Sequence, residues 1–573
     1  MKRILFFVHY NKYNDLEDYV IYLLVNIKQI YNRIVFISNS KLNDQHKIKL
    51  TGLYDSLIIR ENKGFDFGAW KDALLQEGWE KLSSYDNITL MNDSCFGPFY
   101  DMAKIYNRME QMNIDFWGVS KHTAMNYRLP VTDDEIPEHI QSYFICFKKK
   151  IISDKVFQDF WEGLNYETNI QIVIQKYESQ LTSILKKNGY NYAVLIESGD
   201  EISISFDRPD LCIINEAPLI KIKPFSFFLN PLYIKKLIKN KTSYPVSLIE
   251  NYFSNLYDPT SSFKIENKTF NPELYSISNT DTPLPKIAIH INTENPVLLQ
   301  KYISILDKWE IEYHLFITTD TNEKKKKITD FLKNHFSNKY LKEIIVLKRY
   351  NQDILLWLNM AEKLKNYDIA GNFFANNNMN EIQNYFELFL TPINKIVNMI
   401  NTNKKIGIII PDIPDFLMLQ LLMDPKEKKI RNEMDKLWKK LDLKKEIKFQ
   451  DISMLIFPYG NMFWYKPSAL SSLVEFYLKS TDITEKHFFK NKFVLECLNR
   501  MLVYIAWSEG YDFRINTAGM PEESVFYCNQ IINNYVNKYL TLNDYRIGRL
   551  LLFLNRFAKN IIRKFKKLYV TDK

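Results

Sequence analysis

The strongest constraint on this chain is a rhythm in which short apolar runs, each closed by a small polar cluster, alternate with amphipathic stretches. Residues 4–8 form an apolar run fit for a buried strand. Within 15–29, Leu16, Tyr19, Val20, Leu23 and Leu24 recur at the three-to-four spacing of a helix with one apolar stripe. Residues 33–37 read as a second strand closed by Ser38-Asn39-Ser40. Residues 56–59 read as a third, leading into Asn62-Lys63-Gly64-Phe65-Asp66-Phe67-Gly68 and a helix from Ala69. Residues 87–91 read as a fourth, closed by Asn92-Asp93-Ser94. Strands alternating with helices predict an α/β domain around a mainly parallel sheet. Ligands of such sheets lie beyond the carboxyl ends of the strands, where all three polar clusters fall.

Between 200 and 282 the rhythm stops. Prolines 209, 218, 224, 231, 245, 259 and 272 are spread through this stretch, and 278–285 has the composition of a linker. At Lys286 a new first strand begins and the landmarks return in order. Asp353 stands 287 residues after Asp66, Tyr367 stands 282 after Tyr85, and Gly407 stands 289 after Gly118. The expectation is a duplicated nucleotide-sugar-type domain, against the alternative that any two α/β domains share such spacing. The predicted organisation is an N-terminal domain over 1–225, a helical linker over 226–285, a second domain over 286–540 and an amphipathic helix over 541–573.

Composition narrows the function classes. The 573 residues suit two to four domains, and 46% hydrophobic content excludes a disordered chain. The net charge is +9, but nine Lys/Arg against one Asp lie within 546–573, so the body is nearly neutral. A nucleic-acid binder would carry its excess on the folded body, so no nucleic-acid partner is expected. In the tail, Leu550, Leu554, Phe557, Ile561, Phe565 and Leu568 recur every three or four residues among Arg and Lys. That pattern suits an anionic membrane surface, with docking on the protein itself as the competing role. Five scattered cysteines without a CxxC pair fit a reducing compartment. The N-terminal apolar run is too short for a signal sequence, and no stretch approaches the ~20 apolar residues of a spanning helix. A cytoplasmic protein, peripheral on the inner face of the cell membrane, is expected.

Four places could carry chemistry. Asp93, at the end of the fourth strand, can hold a divalent cation (Mg2+ or Mn2+) or a ribose hydroxyl beside a nucleotide diphosphate; its competing role is a turn cap. In the Asn62–Ala69 segment two glycines allow close backbone approach, Asp66 could accept from donor hydroxyls and Lys63 could meet phosphate. No Walker or Rossmann spacing supports ATP or NAD. His139 and Gln141 precede an alternating strand and are candidate sugar-hydroxyl ligands. Glu178, opening a helix, could act as general base or merely favour the helix dipole.

Taken together, these segments resemble the rhamnan synthesis protein F family of bacterial glycosyltransferases. The likeness is carried by His9-Tyr10, Asn62–Trp70, Tyr85-Asp86 with Asn92-Asp93-Ser94 and Gly97-Pro98, His139–Phe144, Tyr177-Glu178 with Gly189-Tyr190, and Ala217–Lys221. In the second half it is carried by Tyr459–Pro467. The resemblance implies two tandem GT-A-like nucleotide-sugar-binding domains. It also implies inverting transfer of L-rhamnose from dTDP-β-L-rhamnose onto a lipid-linked cell-wall or capsular polysaccharide. Carried over, Asp93 would stabilise the diphosphate or a metal. Asn62, Lys63 and Asp66 would shape the donor site, and His139 and Gln141 would orient sugar hydroxyls. Glu178 is the first candidate base and Asp134 the second. The second half departs from the family pattern: Arg349–Asp353 lacks the glycine, and 372–378 lacks His and Lys. A degenerate domain that grips the growing glycan or scaffolds a partner is therefore expected there, with Trp464 and Tyr465 as stacking or core residues. The competing functions are a non-catalytic glycan-binding or assembly scaffold, and a sugar-phosphate transferase.

Overall fold

β1 (Arg3–His9), β2 (Arg33–Ser38), β3 (Ser56–Ile59) and β4 (Asn87–Asn92) pair in parallel in the order β3-β2-β1-β4. With neighbours on both edges and helices on both faces, β1 keeps Ile4 to Val8 fully buried, which is why that run is apolar without alternation. β5 (Cys95–Phe96) leaves this sheet. β6 (Phe116–His122), β7 (His139–Ile140), β8 (Phe144–Lys148) and β9 (Tyr192–Ile196) then extend it beyond β4. β8 runs antiparallel to both β4 and β6, while β9 runs parallel to β6. The sheet is thus mixed. β10 (Ile220–Lys221) pairs with β5 apart from it.

In this computed structural model the described residues are 1–125, 136–199, 201–226, 231–266, 268–277, 283–294, 296–335, 340–347, 353–375, 389–390, 392–412, 426–452, 454–480, 489 and 491–517. Asp134, residues 348–352 and 376–378, and the amphipathic segment 541–573 lie outside them.

The chain divides into two compact units, Met1–Leu256 and Tyr257–Lys573. The boundary falls inside the segment read as a linker. Helices Pro231–Lys241 and Val246–Leu256 belong to the first unit. There Tyr244 meets Tyr22, and Tyr252 meets Tyr19, edge to face at 5.1 and 5.2 Å. The helix Phe65–Glu77 covers one face of the first sheet, burying Phe67, Trp70, Ala73 and Leu74 among Ile4, Phe6, Val8 and Trp161.

The second unit holds β11 (Thr269–Phe270), β12 (Ile287–Thr293), β13 (His314–Thr319), β14 (Leu341–Val346), β15 (Ile369–Ala375), β16 (Ile406–Pro411), β17 (Phe463–Tyr465) and β18 (Asp512–Asn516). Setting aside the edge strands β7 and β11, its order β14-β13-β12-β15-β17-β16-β18 corresponds strand for strand to β3-β2-β1-β4-β8-β6-β9. The parallel and antiparallel pairings correspond as well. Trp464 and Tyr465 are buried in this unit, 0% and 1% exposed, so they pack the core rather than stack on a sugar. Among the described residues, no helix is long and apolar enough to cross a membrane. Cys95, Cys146, Cys212 and Cys497 are buried and free.

Candidate functional site

The polar clusters that close β1, β2 and β4 meet at one end of the first sheet. The backbone N–H of Tyr10 donates to Asp93 Oδ2 at 2.8 Å, and the Asp93 N–H donates to the Val8 carbonyl at 3.0 Å. The Tyr19 hydroxyl donates to the Asp93 carbonyl at 2.6 Å. The acidic turn is therefore fixed from both sides. One residue earlier, the Asn92 amide donates to Asp66 Oδ2 at 2.7 Å, tying the turn to the first turn of helix Phe65–Glu77. That helix begins four residues before the position the apolar spacing predicts, because Gly64 at φ 70 caps it in the left-handed region. The earlier start brings Asp66 over the strand ends.

A second arm comes from the mixed part of the sheet. A π-helical turn, Ile174–Glu178, precedes helix Ser179–Lys187 and presents Glu178. Glu178 Oε1 accepts from the Ser142 N–H at 3.1 Å and from its hydroxyl at 2.7 Å. His139 is 4% exposed; its Nδ1–H donates to the Pro137 carbonyl at 2.8 Å, leaving Nε2 as the acceptor nitrogen. Its ring stacks on His122 with centroids 5.1 Å apart. Lys221 enters from β10, opposite Cys95 of β5, with its ammonium 5.4 Å from the Tyr143 ring centroid.

The electrostatics show these groups close enough to act on one another. Burial pushes the Asp66 carboxyl up to about 6; the Asn92 hydrogen bond opposes the rise and the charge of Glu178 adds to it. Burial also lifts Asp93 well above the ordinary carboxylate range, opposed by the Tyr10 N–H and aided by Asp66. Burial works to raise Glu178 too, yet the Lys221 ammonium, His139 and the Ser142 bonds outweigh it and hold it below its usual value. His139 is lowered by burial against the pull of Glu178 and is neutral at pH 7. Glu178 thus faces Lys221, with Asp66 near Glu178 and Asp93 near Asp66, a row of carboxyl groups that favours a ligand bringing hydroxyl donors, or an anion accompanied by a cation.

Not every residue singled out in the sequence enters this crevice. Asn62 adjoins it, its Oδ1 accepting from Asn39 at 3.1 Å. Lys63 does not: its ammonium is paired with Glu61 at 2.6 Å and the side chain is 70% exposed. Both ends of the Gln141 amide are committed, Oε1 accepting from Ser120 at 2.7 Å and from Ser205, and Nε2 donating to Ser203 at 2.9 Å. Gln141 therefore anchors the segment after β9 instead of offering itself to a ligand. Conversely, Lys221, Asn92 and Arg60 were not singled out as site residues. Arg60 donates to Asn39 Oδ1 at 2.7 Å, to Asp72 at 2.8 Å and to the Lys63 carbonyl at 2.8 Å, bracing the Asn62 loop. Lys221 was legible only as part of a motif, because its distance along the chain hides its closeness to Glu178. For a metal, the chain supplies few ligands: among the described residues, no three His, Cys, Asp or Glu side chains come together as a metal-binding set.

A mixed α/β unit with an acidic crevice beyond its parallel strand ends has the general form of a small-molecule-binding enzyme domain. The chain belongs to the rhamnan synthesis protein F family, whose profile matches residues 34–511. It is 27% identical over 168 residues to the uncharacterized protein y4gN of Sinorhizobium fredii, covering 29% of this chain and 42% of that one. The chain thus spans about two fifths of the curated relative it matches. Among solved structures it is similar to a nucleotide-diphospho-sugar transferase of Desulfovibrio desulfuricans (16% identity, TM-score 0.21, covering 34% of this chain and 80% of that one). It is also similar to the glycosyltransferase GlyE of Streptococcus pneumoniae (11% identity, TM-score 0.25, covering 68% and 89%). TM-scores this low transfer no geometry.

Proposed function

We propose that the chain is a glycosyltransferase whose catalytic centre is the crevice of Asp66, Asp93 and Glu178 in the first unit. We further propose that it moves L-rhamnose from dTDP-β-L-rhamnose, with inversion, onto a lipid-linked polysaccharide. Membership of a rhamnan synthesis family supports polysaccharide assembly. The observation that carries the reading is the convergence of the clamped Asp93 turn, Asp66, Glu178 and Lys221 beyond the carboxyl ends of the parallel strands.

Inversion needs one base opposite the departing diphosphate. Glu178 is ionised at neutral pH, with Oε1 held by Ser142 and Oε2 left to accept the proton of the acceptor hydroxyl. It is a weak base, which suffices when that proton leaves late, as the hydroxyl bonds to a cationic sugar carbon. Lys221 offsets charge on the diphosphate leaving group, and Asp66 and neutral His139 accept from sugar hydroxyls. A Mg2+ or Mn2+ ion would be held by Asp93 together with the donor's phosphates rather than by the protein alone, supplying further charge neutralisation. The basic segment 546–573 would bring the enzyme to the anionic membrane that carries the acceptor.

Donor screening tests this reading. Purified protein incubated with a panel of nucleotide sugars and a lipid-linked acceptor is expected to consume dTDP-rhamnose alone, with slower turnover under chelator. Consumption of another donor would overturn the sugar assignment. A product retaining a sugar phosphate by phosphorus NMR would overturn glycosyl transfer itself.

A further inference from the structure

Although the body of the chain is nearly neutral, its charge is not evenly spread. Between Ala217 and Ile249 there are six lysines and no Asp or Glu. The first of them, Lys221, is the one that acts on Glu178. Its ribbon is pinned beside the acidic turn, since the Ile222 N–H donates to the Ser94 carbonyl at 2.9 Å. Further along, the same stretch forms the helix Pro231–Lys241.

That helix has an inner and an outer face. Ile234 and Ile238 are 4% and 0% exposed, and with buried Lys235 they make up the inner arc. The helices Pro209–Ile214 and Val246–Leu256 pack against it. Leu232, Tyr233, Lys236, Lys239 and Asn240 recur at the three- and four-residue spacing of the opposite arc, and all are exposed, Tyr233 by 52%. Lys241 is exposed at the end of the helix.

The outer lysines have no acid to meet. Each neighbouring helix carries a single acid, Asp210 on Pro209–Ile214 and Glu250 on Val246–Leu256. Asp210 is held by Arg208 at 2.8 Å and Glu250 by Lys235 at 3.1 Å. Lys236, Lys239 and Lys241 make no ion pair among the described residues. Ammonium groups crowded on one short helix repel one another, and a single anion answers only one of them. An array of phosphates answers them all. Leu232 and Tyr233 favour a bilayer over an acidic protein face, because a bilayer places hydrocarbon directly beneath its charged layer. There a tyrosine buries its ring and keeps its hydroxyl wet, while lysine stems lie along the apolar boundary.

We propose that the outer face of helix Pro231–Lys241 is a membrane-contact surface of the first unit. Lys236, Lys239 and Lys241 meet the phosphates of an anionic bilayer, and Leu232 and Tyr233 dip beneath them. This surface acts in addition to the basic segment 546–573 and fixes which side of the first unit faces lipid. It does not depend on what the first unit transfers.

Vesicle sedimentation of the full chain tests it, with equimolar phosphatidylglycerol and phosphatidylethanolamine compared against pure phosphatidylcholine. The wild type is expected to bind the anionic vesicles alone. Lys236→Gln, Lys239→Gln and Lys241→Gln together should weaken that binding about 100-fold, each lysine near an anionic surface counting for about fivefold. Leu232→Ser with Tyr233→Ser should weaken it about tenfold, at a melting temperature matched to wild type. Lys326→Gln, Lys333→Gln and Lys342→Gln together, at exposed positions of the second unit, should leave it within about threefold. A helix variant of either kind that binds like the wild type would overturn the proposal. So would equal losses from the two lysine sets, equal binding to phosphatidylcholine, or no vesicle binding by the wild type.

Discussion

Asp66 sits where burial and the charge of Glu178 work against its ionisation, and only Asn92 supports it. Its folded value of about 6 lies above that of an unfolded aspartate, so between those two values the folded chain binds more protons and its stability falls as pH rises. Asp66→Asn keeps the acceptor for Asn92 and removes the buried charge. It is therefore expected to raise stability at pH 7.5 by about 1–3 kcal/mol while lowering transfer, and to flatten the pH dependence of unfolding between 4 and 6. Denaturant melts at several pH values measure this, and a variant no more stable than wild type at pH 7.5 would refute the charge assignment. At this scale the sequence was informative wherever a polar residue closed an apolar strand, as at Asp93. It misled where a hydrogen-bonding side chain could equally be consumed inside, as for Gln141, or point outward, as for Lys63. The partner that matters to Glu178, Lys221, arrives on a separate two-stranded ribbon, and no local pattern announces that.

The junction of the Asn62 loop with helix Phe65–Glu77 sets the position of Asp66. A Cβ on Gly68 would come within 2.4 Å of the Lys63 carbonyl and 3.2 Å of the Tyr166 ring, so the loop and helix can close only over a glycine. Gly68→Ala is expected to destabilise the first unit by about 1–3 kcal/mol by forcing these apart. It should reduce transfer further than stability alone explains, because Asp66 moves with the helix; thermal melts beside rates at a permissive temperature separate the two effects. Full activity in a folded Gly68→Ala chain would show that this junction does not position the site. The strands of the parallel half were readable from their apolar runs. The antiparallel β8 was readable as a strand but not in its direction, since alternation carries no information about which neighbour it pairs. The π-turn at Glu178 left no trace in apolar spacing at all.

At the scale of the whole chain, two sheets share one strand order but close the fourth strand differently. In the first unit the fourth strand ends at Asn92 and Asp93 follows it; in the second the strand in the matching place ends in Phe374-Ala375. The shared strand order was visible in the sequence as a steady offset between landmarks, whereas the direction of each strand pairing needed the structure to be seen. Under the proposed function, transfer takes place in the first unit. The most direct test is the initial rate of sugar transfer to a lipid-linked acceptor by the full chain carrying Asp93→Asn, at matched circular dichroism and melting temperature. Loss of about 100- to 1,000-fold, the scale for removing one electrostatic stabiliser of a transition state, is the predicted result. A rate within a few-fold of wild type would contradict it, and would leave the acidic crevice a structural feature without catalytic work.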